Sequence, residues 1–436
     1  MRYQFSLMLY RLFFLCLLPI TWLLLQLRSI KQKAYRQRLS ERFGFMPRQL
    51  QSGGIIVHAA SVGEVIALKS FVNQLLAAKP KTVITVTTFT PTGSEQVSKL
   101  FGDRVQHCYL PLDSTLCVAS FLNRLKPKAM VFMETELWPN LIAQARDRGI
   151  KLLLINGRLS KKSMDSYRKL SWLIAPTINS FEKVLCQSQV NYDNFLALGA
   201  DVARCKVSGN VKFDISVNQE VKNKQQELSQ FIEENRLTWV VASTHKGDEY
   251  IALNAFATLL KSFPQLLLVI VPRHPERFND VATLCEEHGY AVTRRSNNEK
   301  VTSNKQVWLL DTLGELLPTC ALASVVTMGG SFSEIGGHNP LEPALFKKPI
   351  VVGPNMNNFI EVMQQLAAEQ GIVQLNEEGD ADDTNNEKVT NELAREIEAI
   401  LLSAETQQTL GENAYRVVMQ NQGASTRSLK QLIKLI

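Results

Sequence analysis

The chain has 436 residues, 45% of them hydrophobic and 20% charged, and a formal net charge of +7. That length favours two domains of about 200 residues each, and the composition excludes a disordered chain. The positive balance calls for an anionic partner, which nucleic acid, a phosphorylated substrate or an acidic membrane surface would each satisfy. In chain order, the first feature is an apolar segment. Leu12 to Leu27 carry no charge, and counting back through Arg11 to Phe5 gives enough length to cross or enter a bilayer. Arg11 is placed to snorkel toward one interface. A basic collar of Arg28, Lys31, Lys33, Arg36, Arg38 and Arg42 follows, with Glu41 as its nearby acid. Such a collar stays on the cytoplasmic side, and no small-residue cleavage site follows that would mark a removed signal peptide. A spanning helix and a monotopic helix both fit. Either way the collar suits anionic lipid head groups, so the charge excess needs no nucleic acid.

Beyond the collar, short apolar runs alternate with helical stretches. Residues 54–59, 82–87 (TVITVT), 129–133 (AMVFM), 152–155 (LLLI) and 184–186 read as strands in the first half. Residues 239–242, 266–271, 307–310, 324–328 and 350–352 repeat the pattern in the second. Strands alternating with helices predict parallel βαβ units with right-handed crossovers. The polar stretch 215–236 reads as a linker, and the acidic stretch 374–390 as an exposed loop or a helix lead-in. The expected architecture is an anchor helix (1–30) and two Rossmann-like α/β domains (31–222 and 223–436) facing each other across a cleft. The last helix is a candidate to pack back on the first domain. In such sheets ligands bind beyond the carboxyl ends of the strands, at helix N-termini. Seven scattered cysteines without a CxxC pair predict reduced thiols and no zinc site.

The candidate site residues sit at these strand ends. Ala59 to Glu64 (AASVGE) brings small residues and a first-turn carboxylate together, so Glu64 is either a dipole partner of its helix or a general base. Met133 to Asn140 (METELWPN) places Glu134 and Glu136 directly after a buried strand. Gly209 to Asp214 (GNVKFD) sets Lys212 on a constrained turn. In the second half, Pro272 and Arg273 end an apolar strand, and the planar guanidinium suits phosphate. Leu313, Gly314 and Glu315 form a turn whose backbone can read a base, or, with Thr312, a capping box. Met328 to Pro343 holds two glycine pairs. There Asn339 is the expected cap, Pro340 the first helical residue, and Leu341 and Glu342 the start of a phosphate- and ribose-binding helix. The first turns of the two halves also echo one another, ASVGE against ASTHKGDE. Neither a Rossmann GxGxxG nor a Walker motif is present.

Taken together, ASVGE, METELWPN, GRLS, GNVKFD, PRHPERF, DTLGEL and GGHNPLEP, in this order after an apolar anchor, resemble the bacterial Kdo (3-deoxy-D-manno-octulosonic acid) transferases. The resemblance implies a GT-B fold and an inverting, metal-independent transfer of Kdo from CMP-Kdo to a lipid A precursor, on the cytoplasmic face of the inner membrane and without a cofactor. It implies Glu64 as proton acceptor, Glu134 and Lys212 as transition-state stabilisers, and a CMP site at Pro272, Arg273, Leu313 to Glu315 and Asn339 to Glu342. Another GT-B enzyme with a different nucleotide sugar, or a nucleotide-binding membrane scaffold, are the alternatives.

Overall fold

The computed structural model describes residues 2–31, 33–376 and 383–436. Of the acidic stretch expected to be a loop or helix lead-in, residues 377–382 lie outside the described residues, and the chain is helical from Asp383. Two compact units emerge: Met1–Asp214 with Asn421–Ile436, and Ile215–Gln420. The division falls before the expected 222/223 boundary. The polar stretch contains the helix Gln219–Ser229, which belongs to the second unit because Lys224 bonds Glu315 at 2.9 Å and Glu227 bonds Arg295 at 2.7 Å.

The first unit is built on strands β1 (Ile55–His58), β2 (Ile84–Thr88), β3 (Gln106–Tyr109), β4 (Ala129–Met133), β5 (Lys151–Gly157), β6 (Lys183–Cys186) and β7 (Cys205–Val207). All pair in parallel, in the order β3-β2-β1-β4-β5-β6-β7. The central strands are buried on both faces, which is why they read as unbroken apolar runs. Ile56, Phe132 and Leu154 face one core with Phe121 and Phe181; Val57, Val131 and Leu153 face the other with Phe71 and Leu75.

The second unit repeats this plan with β8 (Thr238–Thr244), β9 (Leu267–Pro272), β10 (Val292–Arg294), β11 (Val307–Leu309), β12 (Val325–Met328), β13 (Ile350–Val352) and β14 (Val373–Gln374). Its order is β10-β11-β9-β8-β12-β13-β14, again parallel throughout. In both sheets the chain first builds to one side (in the second, β10 takes the edge and β11 then fills the place beside β9), then returns to the middle and builds the other way. The reversal lies between β1 and β4 in the first unit and between β8 and β12 in the second.

The apolar N-terminal segment is one helix, Arg2–Lys31, about 45 Å long at 1.5 Å per residue. Its window Tyr3–Ile30 is long and apolar enough to cross a membrane. Arg11 does not snorkel: its Nε donates to Asn140 Oδ1 at 2.9 Å, while the Tyr10 hydroxyl donates to Asp113 at 2.9 Å. Leu7 is buried against Ala143 and Leu173. The collar is also corrected in part. Arg42 is 1% exposed, its guanidinium 4.3 Å from the centre of the Tyr109 ring and 5.5 Å from that of Phe89. Arg38 is spent on Glu41 and the His107 carbonyl. Aromatic faces hold Arg42, and a buried carboxylate holds Arg38, so both cations are tied into the first unit. The side chains of Lys31 and Lys33 lie outside the described residues.

The helix Ala424–Leu435 completes the first unit. Ala424, Leu429 and Leu432 join the core that contains Phe71, Val72 and Leu75. Asp214 grips its start, accepting the Gly423 N–H at 2.6 Å and that of Ser425. Leu432 is fully buried, so Leu432→Ala is expected to cost the first unit about 2–5 kcal/mol, read as a lowered urea midpoint. A midpoint equal to that of the parent would refute this packing.

Candidate active site

In the first unit the sequence-predicted groups collect at the carboxyl ends of the strands. Glu64 follows β1 in the first turn of the helix Val62–Ala67. Ser61 caps that helix by accepting the Glu64 N–H at 3.4 Å. In return, the Glu64 carboxylate accepts from the Ser61 hydroxyl at 2.8 Å and the Ala60 N–H at 2.9 Å. This reciprocal arrangement fixes the carboxylate on a rigid turn. Burial raises its pKa, against the two hydrogen bonds, and the nearby charge of Glu136 raises it further. A half-buried carboxylate with raised pKa is a stronger proton acceptor than a solvated one.

Glu134 directly follows β4 with φ of 59°, a left-handed backbone that a residue with a side chain rarely adopts. Its N–H is held by the Ile155 carbonyl at 3.0 Å, and the next residue, Thr135, donates to the Arg158 carbonyl. Strain kept in place by neighbours at a strand end is characteristic of functional turns. Lys212 lies on the short turn Val211–Phe213 after β7. Asn210 accepts the Lys212 N–H at 2.9 Å, and Asn156, at the end of β5, accepts the Val211 N–H at 3.0 Å. Glu64, Glu134 and Lys212 thus share one edge of the sheet. The first two flank the β1/β4 reversal, where loops diverge and leave room for a ligand.

Sequence reasoning missed a buried companion. His58, the last residue of β1, is fully buried and stands 3.5 Å from Glu136. Its signal was a polar residue closing an otherwise apolar strand.

In the second unit, Arg273 follows β9 and is exposed, with its N–H on the Thr244 carbonyl at 3.0 Å. Pro272 is the last residue of β9. Leu313 is 73% exposed and Gly314 has φ of 85°, so this turn presents its backbone outward. Glu315, in contrast, is turned inward. Its carboxylate is bound by Arg295, by Lys224 and by the Thr312 hydroxyl. Burial opposes its ionisation, but these partners leave its pKa lowered. Asn339 accepts the Leu341 N–H at 3.2 Å, yet the helix that follows covers only Leu341–Ala344 and is capped by Pro340. This helix, which carries Glu342, is thus a single turn.

The sequence reading also missed what joins the β8/β12 reversal. Three of the six histidines meet there. His245 Nε2 and His338 Nε2 are 2.8 Å apart, and the His245 and His274 rings meet edge to face at 5.1 Å. One Nε2 must donate and the other accept, which suits a neutral pair. Asp248 accepts the His245 and Gly330 N–H groups, both at 2.7 Å, and so ties the turn after β8 to the glycine-rich turn after β12.

Burial, then Arg273 and the other two histidines, hold His338 down to about 4. Between roughly pH 6.5 and 4 the unfolded chain therefore binds a proton that folded His338 refuses, and this group's contribution to stability falls as pH falls. Asp248, pushed up to about 6 by burial, acts in the opposite sense from roughly pH 6 down to 3.8. The expected signature is therefore differential. His338→Gln flattens the acid loss of stability relative to the parent, in urea midpoints taken from pH 7 to 4. Parallel profiles would refute it.

Comparison with known proteins bears on this arrangement. Residues 37–215 match the family model described as 3-Deoxy-D-manno-octulosonic-acid transferase (kdotransferase). The 3-deoxy-D-manno-octulosonic acid transferase of Haemophilus influenzae is 40% identical over 420 residues, 95% of either chain. Among solved structures, a glycosyltransferase from Rickettsia africae is 12% identical with a TM-score of 0.54, covering 88% of this chain and 98% of that one. The UDP-GlcNAc 2-epimerase of Neisseria meningitidis is 16% identical with a TM-score of 0.56, covering 88% and 100%. At such identities these two likenesses speak for the fold alone, two Rossmann-like units of the GT-B type. The relative similar over nearly its full length, together with a carboxylate-lined sheet edge in one unit and a cationic one in the other, places this chain in the family of 3-deoxy-D-manno-octulosonic acid transferases.

Proposed function

We propose that the chain transfers Kdo from CMP-Kdo to a lipid A precursor with inversion, using Glu64 as the base. The observation that carries this reading is the Glu64 turn: a rigid, half-buried carboxylate of raised pKa at the reversal of the first sheet. Glu64 takes the proton from a sugar hydroxyl of the acceptor while its oxygen attacks the anomeric carbon of Kdo. The bond from that carbon to the phosphate breaks on the opposite face, and CMP leaves with the electron pair. Arg273 offsets charge on the departing phosphate, and Lys212 and Glu134 stabilise the transition state from their strand-end turns. Pro272, the outward backbone of Leu313 and Gly314, and the Asn339 to Glu342 turn hold the nucleotide. Glu315 contributes by keeping its turn in shape, since its carboxylate is engaged by Arg295 and Lys224. Positive charge from side chains serves where a metal would otherwise be needed.

The membrane is the second element of the reading. Tyr10 and Arg11 near one end of the anchor helix bond Asp113 and Asn140, whereas Arg38 and Arg42, beyond its other end, are bound within the same unit. A helix crossing a bilayer would carry these flanks to opposite sides. The two attachments therefore favour a helix lying in one leaflet, with Phe5, Leu12, Phe13, Leu23 and Leu27 exposed to lipid. The inner membrane, with anionic lipids and the catalytic units on the cytoplasmic side, suits a soluble nucleotide sugar and a lipid acceptor.

Incubation with CMP-Kdo and lipid A precursor, followed by mass spectrometry, is expected to give product heavier by one or more Kdo residues. Glu64→Gln is expected to lower kcat by about 10²–10⁴ at unchanged fold. No added mass from folded protein, or turnover of UDP-GlcNAc in place of CMP-Kdo, would overturn the reading.

A further inference from the structure

His58 is fully buried, and its surroundings determine its protonation pattern. Its Nδ1 lies 2.9 Å from the Thr87 hydroxyl and 3.2 Å from the Thr87 carbonyl. A carbonyl oxygen only accepts, so Nδ1 carries a proton toward β2. On the other side of the ring, Nε2 is buried, makes no regular hydrogen bond among the described residues, and faces Glu136 Oε2 at 3.5 Å. Nε2 and the Glu136 carboxyl group therefore face one another as a polar pair at the end of β1.

Glu136 in turn is fixed through the same oxygen. Its Oε2 accepts the Trp138 Nε1–H at 2.8 Å, and the Trp138 ring stacks on Phe89 at 5.5 Å, 8° from parallel. The turn that carries Glu134, Glu136 and Trp138 is thereby tied through His58 to β1 and β2. Glu64 stands on the loop that leaves that same β1, and the charge of Glu136 reaches it.

We propose that His58 and Glu136 are positioning residues for the base Glu64: His58, on the strand that leads to Glu64, holds Glu136 in place and so locks the turn that carries Glu134 against that strand. The inference rests on Glu64 being the base of the transfer. Burial works most strongly against ionisation of Glu136, yet His58 and Trp138 leave its pKa lowered; toward Glu64 the two act in opposite senses, Glu136 raising its pKa and His58 lowering it. Tyr167, whose pKa is raised by burial and then by Glu136, also stands near the pair.

Two variants test the pair. Glu136→Gln keeps an acceptor for Trp138 but removes the charge. His58→Asn keeps a donor toward Thr87 but cannot reach Glu136. In both, kcat for Kdo transfer is expected to fall about tenfold or more with KM for CMP-Kdo within about twofold. In Glu136→Gln the acid limb of kcat against pH should also move to lower pH, because Glu64 loses a neighbouring negative charge. A merely structural role would lower the urea midpoint without moving that limb. Parent-like kcat and an unmoved limb in both folded variants would overturn the pair. If Glu64→Gln stays active, the assignment of the base fails first, and the two failures are told apart. Should His58→Asn not fold, Glu136→Gln, whose carboxyl group is 23% exposed, decides alone.

Discussion

An all-parallel sheet in which the chain reverses its building direction cannot avoid a gap. The loops leaving β1 and β4 lead to strands on opposite sides, as do those leaving β8 and β12, and a crevice between diverging loops is where such sheets take ligands. The remaining features of the molecule follow from these two gaps. The backbone around them is held in unfavourable shapes: Glu134 after β4, Asn156 in the end of β5 and Ser243 in the end of β8 all have positive φ. Each such residue costs on the order of 1–2 kcal/mol, and packed strands on either side make the cost bearable.

The two gaps are furnished differently. That of the first unit is a field of carboxylates disciplined by buried donors, in which Glu64 has its oxygens on Ser61 and Ala60 and Glu136 stands against His58. That of the second unit is cationic and aromatic, with Arg273 beside three imidazoles and a buried aspartate binding two turns together. A carboxylate field suits withdrawal of a proton, and a cationic one suits an anion that departs. Similar folding plans thus support opposite electrostatics, because the fold dictates where the turns lie and leaves their side chains open.

The central strands were legible in the sequence because burial on both faces makes them continuous apolar runs; 129–133 and 350–352 coincide with β4 and β13. The strands that escaped notice were β3, β7, β10 and β14, which are the four edges of the two sheets. QHCY, CKV and VTR are short and polar because an edge has a neighbour on one side only and must resist further pairing. For the site, residues at strand ends were legible and their partners were not. Nothing in DTLGEL says that Glu315 turns inward to Arg295, and nothing local to HNPLEP says that its helix lasts one turn. The collar misled for a related reason. Arg42 has the look of a surface charge until Tyr109 and Phe89, distant in sequence, close over it.

The capture of Gly423 and Ser425 by Asp214 bears on the order in which the protein is made. Phe71, Val72 and Leu75 await Leu429 and Leu432, which are synthesised only after the whole second unit. At cellular rates of roughly 5–20 residues per second, the first unit emerges with an open apolar face for some tens of seconds. During that interval its apolar N-terminal helix, long enough to cross a membrane, has already been made. A nascent chain with one core unsealed is exposed to aggregation and to chaperones alike, and its maturation ends with the helix that also closes the fold.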